Sequence, residues 1–201
     1  MLLFKDEITY GTGACGVAAP IILAGAALVA GLLRPGYDPL AQTLGDLGTM
    51  GGSAAAVMNI VGFGVTGVLV ALLAVGLYLD VRGGAALKVL LLAVMMVAGA
   101  ALILTGVFPS DSYPDIHTAA VYAVGGALGL APMVGAVLFP QDPRWKPLWA
   151  YSLLTGIIAL AVFALFVSDA LPSSQGLVQR VYLAVPLLWA GASGFWIMRW
   201  N

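Results

Sequence analysis

Arg180 is a cation set about one turn inside an apolar run, GLVQRVYLAVPLLWA. A charge at the centre of a helix in lipid costs about 2.5–3.5 kcal/mol or more, and less near the edge, so this residue needs a partner. It could snorkel to the interface alone, pair with an aspartate, or grip the phosphate of a lipid with the two parallel hydrogen bonds of a planar guanidinium. His117 is the sole histidine and follows Asp115, whose carboxylate could cap the free amides of a helix start. With an ordinary pKa of about 6.5 it could act as acid or base near neutrality, assisted by Asp46, Asp111 or Asp115. Alone it cannot make a zinc site, which takes three or four ligands, although it could ligate a pigment or haem. No metal and no resident cofactor is expected, although a lipid could be bound. Asn59 and Thr66 are seven residues apart, on one face of a regular helix, and Thr105 approaches the same level. Asn59, Thr105, His117 and Arg180, with Arg34 nearby, therefore outline a polar pocket about one turn deep, whose bland alternative is hydrogen bonding between helices.

The segment RPGYDPLAQTLGDLGTMGGS lies beside these residues. Pro35 and Gly36 turn the chain, and Leu40, Leu44 and Leu47 then recur at helical spacing around Asp46, which predicts a short amphipathic helix at the interface or a cover over the pocket.

The elements that must position this chemistry are set by composition. Of 201 residues only 8% are charged and 62% are hydrophobic. A soluble domain carries about 25% charge, so water is excluded as the main solvent. Net charge of −1 excludes nucleic acid as a partner, because no basic footprint for phosphate exists. One cysteine, Cys15, cannot form an internal disulfide or a cysteine zinc cluster. A membrane-spanning helix needs about 20 mainly apolar residues, and six stretches qualify, at about 13–33, 54–79, 88–108, 116–139, 148–167 and 176–198. The expectation is all-α: a single membrane domain, 1–201, of six transmembrane helices, since lipid leaves open backbone groups unsatisfied. The first span is too long, and too acidic at its start, for a cleaved signal peptide, and is expected to be retained.

Six crossings put Lys5, Arg82, Lys88, Arg144, Lys146 and Arg199 on one side and Arg34 and Arg180 on the other. That asymmetry predicts a cell-membrane protein with both termini cytoplasmic. Tyr10, Tyr78, Trp145, Trp149, Trp196 and Trp200 are expected at the inner interface, while Asp38, Asp46, Asp111, Asp115 and Asp169 fall outside. Twenty-six glycines supply close helix approach, including the Gly125 and Gly129 pair and GFGVTG at 62–67. Pro20, Pro132 and Pro186 lie inside spans.

The proline-containing first span, YDPLAQTLGDLG, GVFPSD before His117, and GLVQR followed by PLLW resemble, in order and separation over nearly the whole chain, the membrane family known as domain-of-unknown-function family 998. The resemblance implies six membrane helices and no established activity. That family is similar in outline to FGF-receptor-activating-protein-like membrane proteins, some linked to lipid remodelling. It also invites comparison with the alkaline ceramidase and adiponectin-receptor superfamily, whose zinc hydrolases use several histidines with a serine and an aspartate. One histidine here, and Gly45 where the loop motif commonly has serine before an acid, argue against a zinc amidase.

Three functions are open on these grounds. The favoured one is non-catalytic: a lipid-binding module, or an accessory subunit with a protein partner in a larger membrane complex. The second is an outer-leaflet enzyme on a lipid headgroup, using His117, an outer aspartate and Arg180. A small-solute transporter ranks last, because the deep positions are apolar.

Overall fold

The computed structural model describes residues 2–49 and 51–200. Met1, Met50, Asn201 and the side chains of residues 2–6 lie outside the described residues, and with them the Lys5 of the charge asymmetry. Among the described residues there are, besides short 3-10 turns, seven helices: α1 (Leu2–Leu33), α2 (Leu44–Leu47), α3 (Gly52–Asp80), α4 (Ala85–Val107), α5 (Pro114–Leu138), α6 (Trp149–Val167) and α7 (Gln175–Trp200). All but the one-turn α2 are long and apolar enough to cross a membrane. Spans match expectation to within a few residues except the first, which starts well before residue 13. Its early turns are held by packing: Thr9 and Thr12 are buried, Thr12 Oγ1 donates to Thr9 O at 2.8 Å, and Thr12 rests on Gly76 of α3.

Each long helix packs against the next in sequence, and α7 returns to α1 and closes the ring. Glycines set the close seams. A methyl at Gly67 would lie 2.5 Å from the Gly99 carbonyl oxygen, and one at Gly99 2.6 Å from that of Gly67, so α3 and α4 touch backbone to backbone. Gly125 and Gly129 receive Phe163 and Leu160 of α6. Between α1 and α7 the seam is confined to the half bearing the termini, where Gly13 and Gly16 meet Ala190 and Gly194.

The middle of α3 differs from expectation. Val57–Val65 is π-helical, with i→i+5 bonds that break the 3.6 period. Asn59 and Thr66 therefore do not share a face: Asn59 turns to the first loop, whereas Thr66 is fully buried.

At the end carrying the termini, Asp80, Asp142, Arg144 and Trp145 form a latch. Arg144 lies 3.3 Å from both carboxylates, and Trp145 Nε1 donates to Asp80 Oδ2 at 2.7 Å. Trp145 is thus wholly buried, between Asp80 and the ring of Phe139 with centroids 4.6 Å apart. It is not one of the interfacial aromatics the sequence suggested. Tyr10, Tyr78, Trp149 and Trp200 are exposed on the bundle surface.

Candidate functional site

The described part of the first loop, residues 34–49, is folded onto the bundle by side chains from three helices: Asn59 of α3, His117 of α5, and Gln179 and Arg180 of α7. Thr43 caps α2, and Asp46 closes the capping box: it accepts from Thr43 N at 2.7 Å and Thr43 Oγ1 at 2.9 Å. Two orphan donors are satisfied reciprocally, which explains how four residues hold a helical turn. Leu44 and Leu47 point into the bundle and are buried, while Leu40 falls outside the helix and is exposed.

Arg180 holds this loop. Its Nη1 donates to Pro39 O at 2.7 Å, Gln42 O at 3.0 Å and Gly176 O at 2.8 Å, and its Nη2 donates to the Tyr37 hydroxyl. No carboxylate lies within 4 Å of it among the described residues. It pairs with no aspartate; it grips loop carbonyls instead. The neighbouring Gln179 Oε1 accepts from Leu44 N at 2.6 Å. The α7 backbone joins in, through Gly176 N to Ala41 O at 3.2 Å and Leu177 N to Leu40 O at 2.9 Å. A side chain at Gly176 would collide with Gln42 O, so glycine is required there for the approach.

His117, buried at 7% exposure, lies within hydrogen-bond distance of Phe108 O through Nδ1, at 2.9 Å. A carbonyl only accepts, so Nδ1 carries the proton, and Nε2 is the nitrogen left to ligate or to accept a hydrogen bond. That nitrogen abuts Gly45, where a Cβ would stand 2.8 Å away. Asn59 Nδ2 donates to Gly48 O at 2.9 Å, and Arg34 Nη1 to Thr49 Oγ1 at 3.2 Å. Thr105 turns away and donates to Ala101 O of its own helix at 2.9 Å. Asp115 is exposed in the first turn of α5, where its charge favours the helix start, but no side chain caps that end. Asp111 is exposed and 3.4 Å from Ser112 Oγ.

Arg34, Asn59, His117 and Arg180 thus each contact the first loop, at Thr49, Gly48, Gly45 and Pro39 with Gln42 respectively, while Thr105 bonds within its own helix. The burial of Tyr37 in this clamp pushes its phenol pKa up, against the lowering influence of Arg180.

An apolar cavity of about 600 Å³ lies to one side of the clamp, between the halves of α1 and α7 remote from the termini. Its walls run from Pro20 through Leu23, Ala27 and Leu28 to Leu32 on α1, and over Leu183, Ala184, Leu187 and Leu188 on α7. Tyr37, Pro39, Leu44 and Arg180 close its first-loop end. The cause lies in the sequence of the two helices. Their glycines meet at 13, 16 and 194; beyond Pro20 the facing residues include Ala24, Ala27, Gly31 and Ala184, too short to fill the space, and the first loop enters at its end. Neither the cavity nor the Asp80 latch is anticipated by the sequence reading; the nearest signals are the proline in each wall helix and the acid ending α3.

The chain matches, over residues 17–196, the model of the family described as protein of unknown function, DUF998. No curated protein and no solved structure matches it.

Proposed function

The chain belongs to the DUF998 family, and from that premise we propose that it is a lipid-binding membrane module whose groove between α1 and α7 takes one acyl chain. The groove carries this reading: its walls are apolar and its closed end holds a cation. From Pro20 to Leu32 the wall covers twelve helical rises, about 18 Å, close to the roughly 15 Å depth of one leaflet. Leu28, Leu32 and Leu188 on its rims are exposed, so a chain can enter sideways from the bilayer.

The basic residues support an orientation for this groove. Arg82, Lys88, Arg144, Lys146 and Arg199 lie at the end bearing the termini, and Arg34 and Arg180 at the other. Acidic partners such as Asp80 and Asp142 weigh little in that rule. On this reading both termini lie on the cytoplasmic side of a cell membrane, and the groove lies in the outer leaflet.

The test is purification in mild detergent followed by native mass spectrometry. A chain-bearing lipid should remain on the wild-type protein and be lost from Leu28→Trp and Ala184→Trp, which fill the groove. Lipid that survives both substitutions removes the groove from the proposal. A stoichiometric second protein in place of lipid would favour the accessory-subunit role.

A further inference from the structure

We propose that the unoccupied edge of the Arg180 guanidinium is a seat for a phosphodiester, so that the molecule in the groove is a glycerophospholipid. This rests on the groove reading above and adds the headgroup to it.

A guanidinium presents five N–H donors in a rigid plane. Three carbonyls engage Nη1, and the Tyr37 hydroxyl takes one hydrogen of Nη2. No hydrogen bond reaches Nε from the described residues. The Tyr37 hydroxyl is 3.1 Å from Gln42 O, which Nη1 engages, so both acceptors sit on the edge between Nη1 and Nη2; the other edge, Nε–H beside the second Nη2–H, is the fork that binds two oxygens of one oxoanion. Every acceptor already in place is neutral, and no carboxylate is within 4 Å among the described residues, so the cation keeps its charge. Arg180 and Tyr37 both line the groove, which puts this fork at the end where a headgroup would rest.

The surrounding charges decide what kind of headgroup fits. Asp38 adjoins the gripped Pro39, Asp46 closes the capping box of α2, and Arg34 is bonded to Thr49. With Arg180 these are two anions and two cations. The seat therefore recognises the phosphodiester itself and does not require a net negative lipid; zwitterionic and anionic phospholipids both satisfy it. The second acyl chain stays in the bilayer beyond the exposed rim at Leu28 and Leu188.

The experiment is a competition on the full chain in nanodiscs, read by native mass spectrometry. Dioleoyl phosphatidylethanolamine competes in turn with dioleoylglycerol, oleic acid and inorganic phosphate. A hydrogen-bonded charge is worth about 1.5–3 kcal/mol, or about tenfold and upward, so the phospholipid should outcompete dioleoylglycerol by that factor. Arg180→Lys keeps the charge and loses the fork, and should cut the preference several-fold while the melting temperature shows that the loop clamp survives. Leu28→Trp should release phospholipid and diacylglycerol alike. Equal retention of the two by the wild type, with both lost from Leu28→Trp, overturns the phosphodiester seat and leaves the groove standing. Retention of both by Leu28→Trp overturns the groove. Oleic acid competing on a par with the phospholipid overturns the choice of phosphate over carboxylate, and displacement by inorganic phosphate makes this a site for a soluble anion.

Discussion

The indole Nε1 of Trp145 donates to Asp80 Oδ2 at 2.7 Å, where α3 ends and the chain after α5 turns back. Arg144 adds a bond to the Asp80 carbonyl at 2.8 Å, and Trp196 Nε1 donates to Arg144 O at 2.8 Å. The Asp80 carboxylate therefore ties α3 to the turn at 139–148, and Trp196 ties that turn to α7. Removing one partner of a buried pair strands the other, at about 3–5 kcal/mol. Asp80→Ala should lower the detergent melting temperature sharply, and Asp80→Asn, which keeps an acceptor for the indole, should lower it less. Equal losses would mean that the indole bond contributes nothing.

The latch has a pH dependence of known sign. Burial pushes the Asp142 carboxyl up, but the amides of Arg82 and Arg144 and the Arg144 guanidinium outweigh it and hold the pKa below the usual carboxylate range. A lowered folded pKa contributes stability that is fully present above the unfolded value of about 3.9 and is lost as pH falls through the folded one. Wild-type protein should lose stability between pH 5 and pH 3, in excess of Asp142→Asn over the same range. Parallel curves for the two proteins would remove Asp142 from the acid response.

Gly45 and His117 should behave as one unit. A methyl at 45 would stand 2.8 Å from Nε2, and overpacking of this kind costs about 1–3 kcal/mol. His117→Ala loses the bond to Phe108 O, worth about 1 kcal/mol, but clears the space. The double variant Gly45→Ala/His117→Ala should therefore cost clearly less than the two single losses together. Additive melting-temperature changes would show that the ring moves aside freely.

The glycine seam gives a sterner test of packing. A Cβ at Gly194 would lie 2.3 Å from the Gly13 carbonyl oxygen. Backbone cannot yield as a side-chain tip does, so α1 and α7 must separate. Gly194→Ala is expected to lower the melting temperature more than Gly126→Ala on α5, where nothing lies within 4 Å. A reversed order would refute the seam.

The six spans are legible because each is a local property of about 20 consecutive residues. The polar residues that matter are legible for the same reason: Asn59, His117 and Arg180 stand out against apolar neighbours. What they face is not, because Arg180 and Pro39 are 141 residues apart in sequence. Asp80 and Arg144, 64 residues apart, read as side markers before the fold brings them together. The π-helical turn escapes because glycine-rich GFGVTG fits a slim α-helix as well, and the groove escapes because a cavity is a property of two helices diverging, invisible in either alone.

The closure of α1 on α7 also sets an order of assembly. Pro39 and Gln42 leave the ribosome some 140 residues before Arg180, an interval of about 7 to 28 s at 5–20 residues per second. Throughout that time the first loop has no anchor on the last helix, and the flank of α1 that becomes the groove wall faces bilayer. The final helix docks as a keystone: its arrival shuts the ring, seats the loop and creates the groove in a single late step.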